Sequence, residues 1–275
     1  MKALVVMTSA LGMVTLSASE VRWTAQGTVS DLTGSALTGT GVVAGDPVEI
    51  SLTYDSNALV KLRSFFPVGE GFAGSASFYG TPNLGITVKI RDNVWTGQLP
   101  TIGENDHVIE SSCRDITGSQ DWFRATLDAA RGGTFPSFPH TGSETVRALK
   151  VEFRDDTAPA ELFDVLTLPT SITNLCAMTS ATGSVQAGTS AINFAITPSS
   201  VRISQPMVPV SISSTGTGIQ LSWQTESGQP YRIEGSSNLR CWSTEALETG
   251  TGNTLQKTFS PFATNAKRFY RIVKP

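Results

Sequence analysis

Apolar and polar residues alternate with a period of two along most of this chain. Val48-Glu49-Ile50-Ser51-Leu52-Thr53-Tyr54 does so without error, as do Leu84 to Arg91 and Ile192 to Thr197. Leu149, Val151 and Phe153 alternate with Lys150 and Glu152. Such alternation sets one face in a core and the other in water, the habit of antiparallel strands. Turn formers separate the runs: Gly45-Asp46-Pro47, Thr81-Pro82-Asn83, and Asp155 to Pro159. Many short strands with this punctuation predict a sandwich or a barrel. Asp121 to Ala130 fits two periods. As a helix it puts Phe123, Leu127 and Ala130 on one side; as a strand it alternates Phe123, Ala125, Leu127 and Ala129. The strand is favoured, because Arg131-Gly132-Gly133 ends it as a turn would. Asn57 to Leu62 reads as a short helical turn.

The pattern also divides the chain. Residues 1–19 begin with Lys2, continue through an uncharged run from Ala3 to Leu16, and end on the small residues Ser17-Ala18-Ser19. That order predicts a cleavable signal peptide and a secreted or extracytoplasmic protein, at the cell surface or in a periplasm. The run is shorter than the ~20 apolar residues a membrane span needs, so no transmembrane anchor is expected. Residues 20–203 are expected to form an antiparallel β-sandwich, jelly-roll-like in layout. Residues 204–209, with Pro206 and Pro209, read as a linker. Residues 210–275 follow as a small β-sandwich module with strands at Ile219 to Trp223, Tyr231 to Glu234, Leu255 to Phe259 and Phe269 to Val273. The predicted fold class is therefore all-β throughout.

Composition narrows the partners. Only 16% of residues are charged and Gly, Ser and Thr abound, as in turn-rich β proteins. The net charge of −3 offers no basic excess for nucleic acid or an anionic membrane. Three cysteines are present, Cys113, Cys176 and Cys241. Export permits disulfides, and an odd count leaves at least one thiol over. Cys113 and Cys176 fall in the same expected domain and form the expected pair; otherwise all three serve as small buried hydrophobes.

Two resemblances accompany these patterns. Gly41 to Asp55, GVVAGDPVEISLTYD, resembles the opening of a β-sandwich in exported bacterial proteins of the PEP-CTERM class. Leu149 to Pro169 and the strand after Gly183-Ser184-Val185 fit the same class, over Trp23 to Ile203. The chain departs from it in having no Pro-Glu-Pro sorting tail. The stretch Ile212 to Val273 resembles a small C-terminal module of secreted bacterial proteins, similar in layout to fibronectin type III. Its pattern is carried by Leu221 and Trp223; Tyr231, Glu234 and Ser236; Leu239 and Trp242; and Phe269-Tyr270-Arg271. The resemblances imply an exported modular protein and no particular chemistry.

Motifs for catalysis fare poorly. Gly69-Glu70-Gly71-Phe72-Ala73-Gly74 matches GxGxxG, but Pro67 precedes it and a strand follows, so no helix N-terminus is there to hold a pyrophosphate. The two histidines, His107 and His140, lie in no HExxH, and no serine lies in a GxSxG elbow. Carboxylates cluster as Glu104, Asp106 and Glu110, and as Glu152, Asp155 and Asp156. Two carboxyls facing across a cleft would make a glycosidase. Asp155-Asp156 also suits a turn, and no DxDxDG calcium loop exists. No catalytic residue, metal ligand set or cofactor is assigned. The binding candidates are Phe135, Phe138 and His140, in the aromatic, proline-rich loop FPSFPH, whose rings would stack on a sugar or cover the sandwich end. The sequence thus points to a secreted, non-catalytic binding or surface-interaction protein, with an extracellular glycan or cell-surface component as partner. The alternative is a polysaccharide hydrolase or lyase using paired carboxylates.

Overall fold

The computed structural model describes residues 20–55, 59–68, 71–114, 121–138, 147–157, 177–204, 208–215, 218–239, 241–260 and 268–274. Over these residues the protein is all-β and antiparallel, with three single-turn 3-10 helices. No helix among them is long and apolar enough to cross a membrane. Residues 1–19 lie outside the described residues.

Thirteen strands form one large sheet. They are β1 (Glu20–Thr33), β2 (Pro47–Asp55), β3 (Leu59–Val68), β4 (Gly71–Tyr79), β5 (Leu84–Ile90), β6 (Asn93–Leu99), β7 (Ile109–Arg114), β8 (Asp121–Asp128), β9 (Thr134–Ser137), β10 (Arg147–Asp155), β11 (Ser180–Ala187), β12 (Ser190–Ile196) and β13 (Arg202–Ser204). Their order is β3-β4-β7-β8-β10-β11-β12-β1-β2-β5-β6-β9, with β13 also beside β1. The period-two runs supply the core. Val21, Trp23, Ala25 and Val29 point inward from β1, and Leu84, Ile86, Val88 and Ile90 from β5.

The sheet is curled onto itself, and three rings prove it. Trp23 of β1 lies 4.6 Å from Phe153 of β10 and 5.2 Å from Phe123 of β8, centroid to centroid. Along a flat sheet those strands would be three and four spacings apart, roughly 14 and 19 Å. Only a sheet folded back over its own inner face brings them into contact, so its two halves close as a sandwich. Trp23 Nε1 donates to the Tyr54 hydroxyl at 3.1 Å. Burial pushes the Tyr54 hydroxyl far above its ordinary value, against the smaller opposing effect of that bond.

Two local expectations meet the structure differently. Asp121–Asp128 is a strand, as favoured. Helical geometry begins only at Ala129–Arg131, where the Asp128 carboxylate accepts from Ala130 N at 2.8 Å and Gly132 ends the turn at φ 84°. The helical turn expected over Asn57 to Leu62 is corrected: from Leu59 onward the chain is β3, laddered to β4. Cross-strand pairing overrides the weak local helical preference there. Gly71 to Gly74 of the GxGxxG match lie inside β4.

The C-terminal residues make two further sheets, β14-β15-β18 and β17-β16-β19. The strands are β14 (Ser211–Thr215), β15 (Gly218–Gln224), β16 (Pro230–Ser236), β17 (Ser243–Thr249), β18 (Thr254–Phe259) and β19 (Phe269–Val273). Leu221, Trp223, Tyr231, Ile233 and Ile272 fill a small core of their own, separate from the core of the large sheet.

Candidate functional site

On β8 the buried series Phe123, Ala125, Leu127 faces the core, so Trp122, Arg124 and Thr126 face outward. On β10 the same parity turns Lys150, Glu152 and Arg154 outward, opposite Val151 and Phe153. Register then fixes neighbours. Glu110 of β7 stands opposite Arg124, and Arg124 stands opposite Glu152, in one cross-strand row. Residues opposite one another on one face interact directly.

The row is an ion-pair ladder. Arg124 Nε lies 2.6 Å from Glu152 Oε2, and Arg124 Nη1 lies 3.6 Å from Glu110 Oε2. Lys150 Nζ and Arg154 Nη1 approach Glu152 at 3.4 and 3.5 Å. Arg154 also binds Asp156 at 3.0 Å, and His107 Nδ1 lies 3.5 Å from Glu110. The Arg124 guanidinium sits 4.9 Å above the Trp122 ring, a cation–π contact. Three cations cover Glu152, leaving its side chain 8% exposed. Burial alone would raise the Glu152 pKa, but the Arg124 hydrogen bond and charge, with Lys150 behind them, outweigh it and hold the carboxyl below its ordinary value. The face therefore offers fixed donors from Arg124, Lys150 and Arg154, acceptors from Glu110 and Asp156, and one indole ring.

This arrangement sorts the carboxylates differently from their order in sequence. Glu110, Glu152 and Asp156 belong to the ladder. Asp155 turns inward, fully buried, and accepts from Thr157 N at 2.9 Å and Thr157 Oγ1 at 2.5 Å. Asp106 accepts from Gly103 N at 3.1 Å in a surface turn that also holds exposed Glu104. Among the described residues no group of three or more His, Cys, Asp and Glu could hold a metal ion. Trp122, Arg124, Lys150 and Arg154 escaped the sequence reading; the available signal was charge of opposite sign at outward positions of neighbouring strands.

Phe135 and Phe138 are half-buried and pack on the large core, edge to face at 5.4 Å. Phe135 lies where Gly97 leaves room: a Cβ at Gly97 would meet its Cε1 at 2.7 Å. Arg147 covers Phe138 at 5.7 Å. His140 lies outside the described residues.

The residues behind the fibronectin-like resemblance converge on a second network. Glu234 is fully buried between Arg232 Nε at 2.6 Å and Arg271 Nε at 2.5 Å, and Arg271 lies 4.2 Å above Trp242. Burial lowers the Arg271 pKa, and Glu234 opposes that shift. Ser236 Oγ accepts from Asn238 N at 3.2 Å and Leu239 N at 2.9 Å, and Leu239 takes φ 62°. Of the pattern's residues, Leu221, Trp223, Tyr231, Glu234 and Ser236 are buried, while Leu239 and Phe269 are exposed.

Cys241 is disulfide-bonded. The expected Cys113–Cys176 bridge lies outside the described residues, Cys176 entirely and Cys113 by its side chain. Comparison with protein-family models, curated proteins and solved structures finds no match to this chain.

Proposed function

We propose that this is an exported, non-catalytic binding protein that holds carbohydrate on the outer face of β7, β8 and β10. The observation that carries the reading is the ladder itself. Its charges are fixed by one another on the outward side of the sheet, partly exposed and beside an indole, in the manner of a surface preorganised for hydroxyl-rich ligands. Guanidinium and carboxylate groups give charge-assisted hydrogen bonds to sugar hydroxyls, and an indole supplies an apolar stacking surface. The face carries both signs in near balance, which favours a neutral glycan over a polyanion. A glycosidase needs one carboxyl held protonated as its general acid. Glu152 is driven the other way by Arg124.

Export is part of the same reading. The signal-like residues 1–19 and the disulfide at Cys241 both suit an oxidising compartment. The likeness of residues 23–203 to the PEP-CTERM class and of residues 212–273 to a fibronectin-III-like module supports a modular extracellular protein.

The test is retention on a panel of insoluble polysaccharides, with affinity electrophoresis for soluble ones. At least one glycan should retain the protein, and Trp122→Ala or Arg154→Ala should weaken binding about tenfold, ~1.4 kcal/mol. Circular dichroism checks that each variant keeps its β-structure. Binding untouched by both substitutions, or no binding across the panel, refutes the site. Release of new reducing ends, abolished by Glu152→Gln, refutes the non-catalytic reading.

A further inference from the structure

We infer that the ladder face takes a linear neutral polysaccharide along its length, as a run of about three or four sugars laid across the strands from β7 to β11. The inference rests on the binding function proposed above and gives that ligand its form. The strands concerned are neighbours, in the order β7-β8-β10-β11.

The polar network does not stop at β10. Arg154 stands opposite Ser180 of β11, and Glu152 stands opposite Thr182. On β11, Ala181 and Val185 point into the core, so Ser180 and Thr182 share the outward side with the ladder. Asp156 ties the two strands together. Its carboxylate holds Arg154 Nη2 at 3.0 Å and accepts from Ser180 Oγ at 3.0 Å. Asp156 N donates to Thr179 Oγ1 at 2.8 Å, and Thr179 N donates to the Arg154 carbonyl at 2.9 Å. The Ser180 hydroxyl is therefore placed by the same carboxylate that fixes Arg154.

Two rows result, each crossing the strands. One runs Trp122, Arg154, Ser180; the other runs Glu110, Arg124, Glu152, Thr182. Successive side chains in a row are ~4.8 Å apart, so the row from β7 to β11 is ~14 Å long. An extended chain of pyranose rings advances by a similar step per ring, and a chain lying along the rows offers one ring to each strand in turn. A single terminal sugar would touch two strands and leave the others unused. Beyond Thr182 the row stays open, because its neighbour on β12 is Ala195, exposed and too short to stop a chain. Along the longer row carboxylate, guanidinium, carboxylate and hydroxyl alternate. That order suits hydroxyl groups, which both donate and accept.

The test is calorimetric titration of the full chain with oligosaccharides of two to six units from cellulose, chitin, xylan, mannan and β-1,3-glucan. In at least one series the tetramer should bind about tenfold tighter than the disaccharide or better, the worth of one added hydrogen bond to a charged group. The hexamer should gain nothing over the tetramer. Trp122→Ala should weaken every member of that series. Thr182→Val removes the hydroxyl at the far end of the row and should cut the tetramer-to-disaccharide ratio about fivefold, the worth of one neutral hydrogen bond. The ratio is taken within each variant, so a partly unfolded preparation cannot imitate the effect. A disaccharide that binds as tightly as the hexamer, or a ratio unchanged in Thr182→Val, overturns the run and leaves the binding site standing. Binding by no oligomer of the five series overturns both.

Discussion

Arg271→Leu tests whether the C-terminal sheets depend on their buried charges. Glu234 is fully buried and held by Arg232 and Arg271 at 2.6 and 2.5 Å. Leucine at 271 removes one cation and leaves the carboxylate in place. Breaking a buried pair from one side costs about 3–5 kcal/mol. The surviving Arg232 contact keeps the loss near the lower bound, about 3 kcal/mol. A unit of this size has a total stability of about 3–10 kcal/mol. The substitution therefore removes a third of it or more. Hydrogen exchange in the intact protein reads this directly: amides of β16 and β19 should lose protection by about 100-fold, at ~1.4 kcal/mol per tenfold. Amides of β1, β5 and β8 should hold theirs, because their core is separate. Adding Glu234→Gln removes the stranded charge and should restore about tenfold of the lost protection. Unchanged protection in Arg271→Leu, or a double variant no better than the single one, would refute the reasoning.

Two further outcomes follow from the large sheet. Arg124→Leu should cost about 1.5–3 kcal/mol at neutral pH, the worth of a hydrogen bond to a charged group. Glu152 is depressed below 4.5, so its contribution is fully present above that value and is lost as pH falls through the lower folded value. The gap in melting temperature between wild type and Arg124→Leu should thus narrow from pH 7 to pH 3; a gap independent of pH rejects the ladder's role. Gly97→Ala would set a Cβ 2.7 Å from Phe135 and 3.0 Å from Leu127. Urea unfolding should report a loss of about 1–3 kcal/mol, as for overpacking, with Phe135→Ala recovering part of it in the double variant; strict additivity of the two would count against the contact.

What was legible in the sequence was whatever has a short period. Val48 to Tyr54 and Leu84 to Ile90 declare themselves because each residue's face depends only on its own parity. β1 is fainter, since Ala25 and Gly27 take two inward positions that larger residues would have marked. The same parity explains why adjacent acids misled. Asp155 and Asp156 are neighbours in sequence, yet one is buried and the other joins the outer ladder. The ladder itself needs register: Arg124 meets Glu152 across 28 residues, and no local pattern states that distance. The disulfide is harder still, because three cysteines allow three pairings and spacing alone does not choose among them.

β1 has a consequence for how the chain acquires its shape. It is flanked by β2 on one side and by β12 and β13 on the other, and Gln26 N bonds Ser200 Oγ 174 residues away. Contacts of such separation form slowly, because a long loop must close before they can contribute. A strand made first acquires its second neighbour only after everything up to Ile196 has been synthesised. Until then the nascent sheet keeps an open edge along β1, able to pair with another chain. Closure of the sheet along β1 is therefore a late event, and the interval before it is when that edge needs protection from other copies of the chain.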